Sequence, residues 1–316
     1  MNQIYHIRPI YKDFVWAGHK LIDYFGLRTE LTNVGTIYTV IADKGNLDNI
    51  VEETGEVLSD FYKSHSGLFD CPDDIFPVRM TITCNESFQS YQLHPDDVYA
   101  LAHEGTRGKV SGAAVLFPSE SDPPLRKRRQ GHRCRNLEEF KRLVAAEDWD
   151  NLFDTIDTAE GYFVHTPAGV IHGGKGGGRI SVTFGTNSDI TYRFYDYGRN
   201  DPKRPLNLQA VFDCLHFPEV PLENGRRPVY HESDGVSVCE YHAQSGEYVA
   251  KRLKVEAEGS FEYPHFAFYT CVAGDGTVDG IAIHPGETLF VPSGYGKVRL
   301  TGKLDLCFLS YYREVM

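Results

Sequence analysis

Read for apolar spacing, the chain predicts mostly strands with a few short helices. Residues 4–16 alternate loosely around Pro9 and predict an extended arm. Residues 18–25 predict a short helix, with Leu21, Ile22 and Phe25 on one face. Residues 34–42, 76–84, 87–93 and 112–117 carry Val, Ile, Tyr, Phe and Thr in the pattern of strands. Residues 46–58 suggest a helix and loop, and 58–66 another short helix. Pro95 stops the strand at 87–93, and Asp96 can cap a helical turn that runs through Ala102. Leu137, Phe140 and Val144 share a helical face behind the capping residue Asn136, with Glu138 and Glu139 in the first turn. Trp149, Leu152, Phe153 and Ile156 predict a second helix, so about 136–157 forms a small helical insertion between strands. Strands at 180–184 and 191–195 flank a turn at 186–189, residues 206–214 predict a helix, and strands return to the C-terminus.

One stretch organises this pattern. Gly161, five residues, Pro167, one residue, Gly169, two residues and His172 predict a strand, a tight turn and a returning strand. Pro167 presets its φ, and Gly169 supplies a positive φ that other residues resist. The spacing is similar to the second half of the cupin signature, in which the His points into a barrel mouth. Gly286, Pro292 and Gly294 repeat it, with Lys297 where His172 stands. The repeat predicts a mainly β fold of two cupin (jelly-roll) barrels. Residues 1–240 form the N-terminal barrel with the arm, the insertion and the chemistry, and 241–316 a degenerate barrel.

Composition narrows the function. The 316 residues suffice for more than one domain, and a net charge of −12 disfavours nucleic acid and anionic membranes as partners. The stretch 119–135 contains Arg126-Lys127-Arg128-Arg129 without interleaved aromatics and reads as a solvated loop rather than an anion-binding patch. Seven cysteines with no CxxC pair, and no apolar run long enough to span a bilayer, suggest a cytoplasmic protein.

Side chains two apart on a strand face the same way, so Ser90, Gln92 and His94 point together. If His172 lies opposite, two imidazoles and an amide oxygen converge in a set suited to Zn²⁺ or a similar ion. The run Ser90 to Asp97, then Gly108-Lys109, Pro167 to His172 and Asn187 to Arg199, with Trp16-Ala17-Gly18 near the start, resembles the type I mannose-6-phosphate isomerases in their short bacterial form. The resemblance implies a zinc-dependent interconversion of mannose 6-phosphate and fructose 6-phosphate. Carried over by position, it implies Gln92, His94 and His172 as metal ligands, Ser90, Lys109 and Arg193 as substrate-binding residues, and Lys109 and Arg193 as catalytic ones. It also implies a small-molecule sugar-phosphate partner and a monomer or homodimer.

The departures are in the acids. The family's fourth ligand, a Glu, is Ser111 here; its G-E-x-W-E is Gly35 to Thr39; another Glu is Thr183, and a Lys is Thr81. With no anionic ligand, metal is expected to be weak or absent. An isomerase needs a base, and Lys109, Glu104, His165 and Asp96 all stand as candidates. A non-catalytic sugar-phosphate sensor, or an isomerase of another sugar, fits the same sequence.

Overall fold

The computed structural model describes residues 3–120 and 122–314, with Lys175 described at the backbone only. Residues 1–2 and 315–316, at the ends of the two expected domains, and residue 121 within the basic stretch lie outside the described residues.

Among the described residues, three large antiparallel sheets and a two-stranded one, Ala42–Asp43 with Leu47–Asp48, make up the molecule. A six-stranded sheet runs Phe163–Thr166, Ser111–Phe117, Ile180–Thr186, Val78–Cys84, Thr36–Val40 and Ile10–Lys12. A five-stranded sheet faces it, in the order Phe153–Thr158, Arg126–His132, His172–Lys175, Phe88–Leu93 and Tyr192–Tyr195. The third, of ten strands, holds the C-terminal part of the chain from His231–Ser233 to Lys297–Ser310. It also takes in Tyr5–Arg8, which pairs with Thr288–Val291, and Ile50–Val51. Its strand Val236–Gln244 runs through residue 240, where the sequence suggests a domain boundary.

Strand alternation decides what each face does. On Val78–Cys84, the residues Val78, Met80, Ile82 and Cys84 enter the main core, while Arg79, Thr81 and Thr83 face a cavity between the first two sheets. On Ile180–Thr186, Val182 and Phe184 go to the core, and Ser181 and Thr183 to the cavity. The same core takes Tyr241, Tyr248, Phe268, Phe290 and Leu309 from the ten-stranded sheet, so burial of shared apolar surface joins the two halves. Behind the five-stranded sheet, Tyr91, Leu93 and Phe194 pack on Phe140, Leu143 and Leu152 of the insertion.

Several expectations need correction. Residues 46–58 form the short strands Leu47–Asp48 and Ile50–Val51 rather than a helix; the helix starts at Leu58. The insertion is helical only over Leu137–Ala145 and Trp149–Leu152, because Phe153–Thr158 pairs with Arg126–His132 as a strand. The basic stretch is therefore not a loop. Neither repeated turn closes a hairpin. Phe163–Thr166 pairs with Ser111–Phe117, whereas His172–Lys175 pairs with Phe88–Leu93, so the Pro-x-Gly turn carries the chain from one sheet to the other. The glycines still do the work expected of them: φ is +78° at Gly169 and +66° at Gly294. Asn136 and Asp96 cap their helices, accepting from the Glu139 and Tyr99 amides at 2.9 and 2.8 Å.

Candidate active site

The cavity between the two sheets has a volume of about 420 Å³. The five-stranded sheet sets up a row across its floor. His172 is level with Gln92, Gln92 with Arg193, and Gln130 with His172, so these four side chains rise from neighbouring strands on one face. The turn fixes the next position: the Gly169 amide donates to the His94 carbonyl at 2.8 Å. A Cβ at Gly169 would meet the Cys214 carbonyl at 2.6 Å, so no larger residue fits there.

The two imidazoles lie with ring centroids 4.9 Å apart. His94 Nδ1–H donates to the Ile190 carbonyl at 2.7 Å, and His172 Nδ1–H to the Val170 carbonyl at 3.0 Å. A carbonyl only accepts, so both tautomers are fixed with a lone pair left on Nε2. Burial holds both rings neutral. It lowers His94 well below its ordinary value and, helped by the nearby Arg128 charge, lowers His172 to about 3. Neutral imidazoles oriented through their second nitrogen are what a metal ligand requires. The Gln92 amide oxygen accepts from the Ser90 hydroxyl at 2.9 Å and keeps its other lone pair. This donor set fits a divalent ion. It carries no negative charge, and Ser111, on the cavity wall, adds none.

Lys109 and Arg193 border the same cavity. Burial, followed by the nearby Arg79 charge, pulls Lys109 down to about 7, against the opposing pull of Asp189 at 3.9 Å. Asp189 is held in turn by Arg79 at 2.8 Å and by the Tyr38 hydroxyl at 3.0 Å. Burial and Arg204 lower Arg193, whose Nε has no hydrogen-bond partner among the described residues.

Not every expected residue reaches the cavity. Ser90 is fully buried beneath it and acts on Gln92 instead. Asp96 is a helix cap, and Glu104 accepts from the Tyr192 hydroxyl at 2.6 Å; neither lines the cavity. His165 faces a second cleft with His242 and Glu247. Its ring stacks on His242 at 4.8 Å with planes 13° apart. Their in-plane lone pairs run parallel rather than converging, so the group reads as a stacked pair, with His242 bonded to Glu247 at 3.0 Å. The residue that spacing rules miss is Arg128. It lines the cavity from the strand Arg126–His132.

No protein-family model matches the chain. It is 27% identical over 311 residues to the probable mannose-6-phosphate isomerase GmuF of Bacillus subtilis (strain 168), across 95% of this chain and 96% of that one. The fold superposes on the crystal structure of the mannose 6-phosphate isomerase from Bacillus subtilis with a TM-score of 0.88 at 21% identity, over 98% of this chain and 99% of that one. Over nearly its whole length the chain is similar to mannose-6-phosphate isomerases. A zinc-bound mannose 6-phosphate isomerase superposes with a TM-score of 0.74 at 12% identity, over 98% of this chain and 99% of that one. The cavity is poor in acid. Thr36, Tyr38, Thr81, Ser111 and Thr183 all border it, and Asp189 is the one carboxylate among the described residues that does.

Proposed function

We propose that the protein interconverts mannose 6-phosphate and fructose 6-phosphate, with Lys109 and Arg193 carrying the reaction. The observation that supports this most is the lysine. An amine with a pKa of about 7 in the cavity wall is substantially neutral at physiological pH, so it can take a proton and give it back.

In this reading, Lys109 removes the proton from C2 of the open-chain aldose, leaving an enediolate with its negative charge on O1. The C2 hydroxyl proton passes to O1, and the lysine returns its proton to C1 as the C2 carbonyl forms, which yields the ketose. The Arg193 guanidinium donates to the two oxygens as negative charge develops on them. Gln92, His94 and His172 would hold Zn²⁺, which when bound supplies Lewis-acid polarisation of the substrate carbonyl. Ser90 keeps the Gln92 amide oriented. The seven cysteines, all unbridged, fit a reducing compartment such as the cytoplasm.

The test is conversion of mannose 6-phosphate followed by ¹³C NMR, with zinc added. Wild type should produce fructose 6-phosphate, and Lys109→Met and Arg193→Gln should each lose at least about a hundredfold in rate. A zinc-loaded wild type that binds the sugar phosphate without converting it would overturn the reading in favour of a sensor.

A further inference from the structure

The basic strand Arg126–His132 follows the alternation of any strand, but both of its faces carry cations. Lys127 and Arg129 point outward, ion-paired to Asp157 at 2.6 Å and Asp150 at 2.7 Å. The inward face carries Arg128 and the buried Gln130. Gln130 is level with His172 in antiparallel register, so stepping back to Arg128 steps forward to Gly174 on the neighbouring strand. No side chain rises there. A Cβ at Gly173 would lie 2.1 Å from the Ser90 carbonyl, and one at Gly174 would lie 3.2 Å from the Tyr91 ring. Gly173 is required by the close approach of the strands, and Arg128 itself borders the cavity.

Arg128 has no acidic partner. Among the described residues, several other cations on this cavity wall have a carboxylate: Arg79 has Asp189, Arg179 has Asp122 at 2.7 Å, and Arg204 has Asp196 at 3.5 Å, whereas Arg128, like Arg126 and Arg193, has none. Among the described residues, no carboxylate lies within ion-pair distance of Arg128. Burial alone lowers it to about 10, with no neighbouring charge to offset the cost. A half-buried guanidinium kept without a counter-charge is costly unless a ligand supplies one.

We infer that Arg128 anchors the phosphate of the substrate, roughly 7 Å along the strand from the row that holds His172, Gln92 and Arg193. This assignment rests on the isomerase reading above. It places the reacting carbons and the phosphate at opposite ends of one cavity, as the hexose chain requires. The guanidinium fork matches two phosphate oxygens, and a phosphate ester carries between one and two negative charges at neutral pH. Arg126, on the same face one step further, also borders the cavity and extends the positive field toward an incoming anion.

The experiment is calorimetric titration of mannose 6-phosphate, mannose and inorganic phosphate into wild type, Arg128→Gln, Arg128→Lys and Lys127→Gln, each checked for unchanged thermal melting. Wild type should prefer the phosphorylated sugar. Arg128→Gln should weaken mannose 6-phosphate by about 30-fold and leave mannose unchanged, Arg128→Lys should fall between, and Lys127→Gln should match wild type. A preference that survives Arg128→Gln overturns the anchor while leaving the isomerase reading intact. Arg128-dependent binding of inorganic phosphate, in a protein that ignores mannose 6-phosphate, supports the anchor and sinks the isomerase reading. No binding of any probe to wild type overturns both.

Discussion

The charge relay Arg79–Asp189–Lys109 makes the base testable without relying on turnover alone. Asp189→Asn keeps the shape of the side chain and its bond with the Tyr38 hydroxyl but removes the negative charge 3.9 Å from Lys109 Nζ. At that distance a unit charge is worth about 1 kcal/mol in water and about 4 kcal/mol at an effective dielectric of 20. The loss is therefore about one to three pH units on the lysine. The sign is downward: Asp189 is the group that raises Lys109, and its removal also leaves the Arg79 charge, which lowers Lys109, uncompensated. In wild type, Lys109 should titrate near 7 in heteronuclear NMR of its Cε and Nζ atoms. The acid limb of the kcat/KM profile should sit at the same pH, because the base must be unprotonated. In Asp189→Asn both should move at least about one unit toward acid together. A lysine that titrates near 10 in wild type would refute the argument. So would an acid limb that stays put while the NMR titration moves, since Lys109 would then not be the base.

Two further outcomes follow from the imidazole side of the cavity. The unfolded chain protonates a His at about 6.5 and the folded chain protonates His172 at about 3, so acid favours the unfolded state and stability should fall as pH drops from 6.5 toward 3. In chelator, urea unfolding at pH 7 and 4.5 should show His172→Asn losing about 2.5 kcal/mol less over that interval than wild type, and equal losses would mean that the ring is accessible to protons. Ser111→Glu puts a carboxylate on the cavity wall beside a donor set that has none. Zinc affinity by competition with a chelating dye should rise tenfold or more, about 1.4 kcal/mol, and an unchanged affinity would show that position 111 does not reach the ion.

Much of this site was legible because its signals are local. Gln92 and His94 sit two apart, and the Pro-x-Gly turn needs only its own backbone angles. The pairing of Gln92 with His172 then follows from one antiparallel register. The strand at 126–132 was not legible, because alternation shows only when the two faces differ in polarity. Here both faces are cationic, one matched by Asp150 and Asp157 from the helical insertion and the strand after it, the other facing the cavity. The Asp189–Lys109 contact joins positions 80 apart in sequence, and nothing in the spacing says that the two meet. Tyr5–Arg8 reads as an arm because its partner, Thr288–Val291, is almost the whole chain away. The turn at Gly169 was anticipated while its consequence was not: nothing in Pro-x-Gly says whether the chain returns beside itself or crosses to the facing sheet.

The charges of this cavity tie its two proposed ligands to each other. Without substrate, Lys109 and Arg128 bear on the imidazole pair, and both act against a cation there, as they act against protonation of His172. A dianionic phosphate ester on Arg128 would cancel that field. The zinc site should then tighten when the sugar phosphate binds, and by thermodynamic reciprocity zinc should tighten the sugar phosphate by the same factor. A neutral donor set beside Ser111 would thus hold metal poorly at rest and better in the loaded state. Zinc titrations with and without saturating mannose 6-phosphate measure the coupling directly, and a shift of about fivefold or more is expected. The coupling should shrink in Arg128→Gln, because that variant removes both the repulsion and the anchor. Equal zinc affinity with and without the sugar phosphate would mean that the cations and the imidazoles are screened from each other, and that the neutral ligand set has to be explained in some other way.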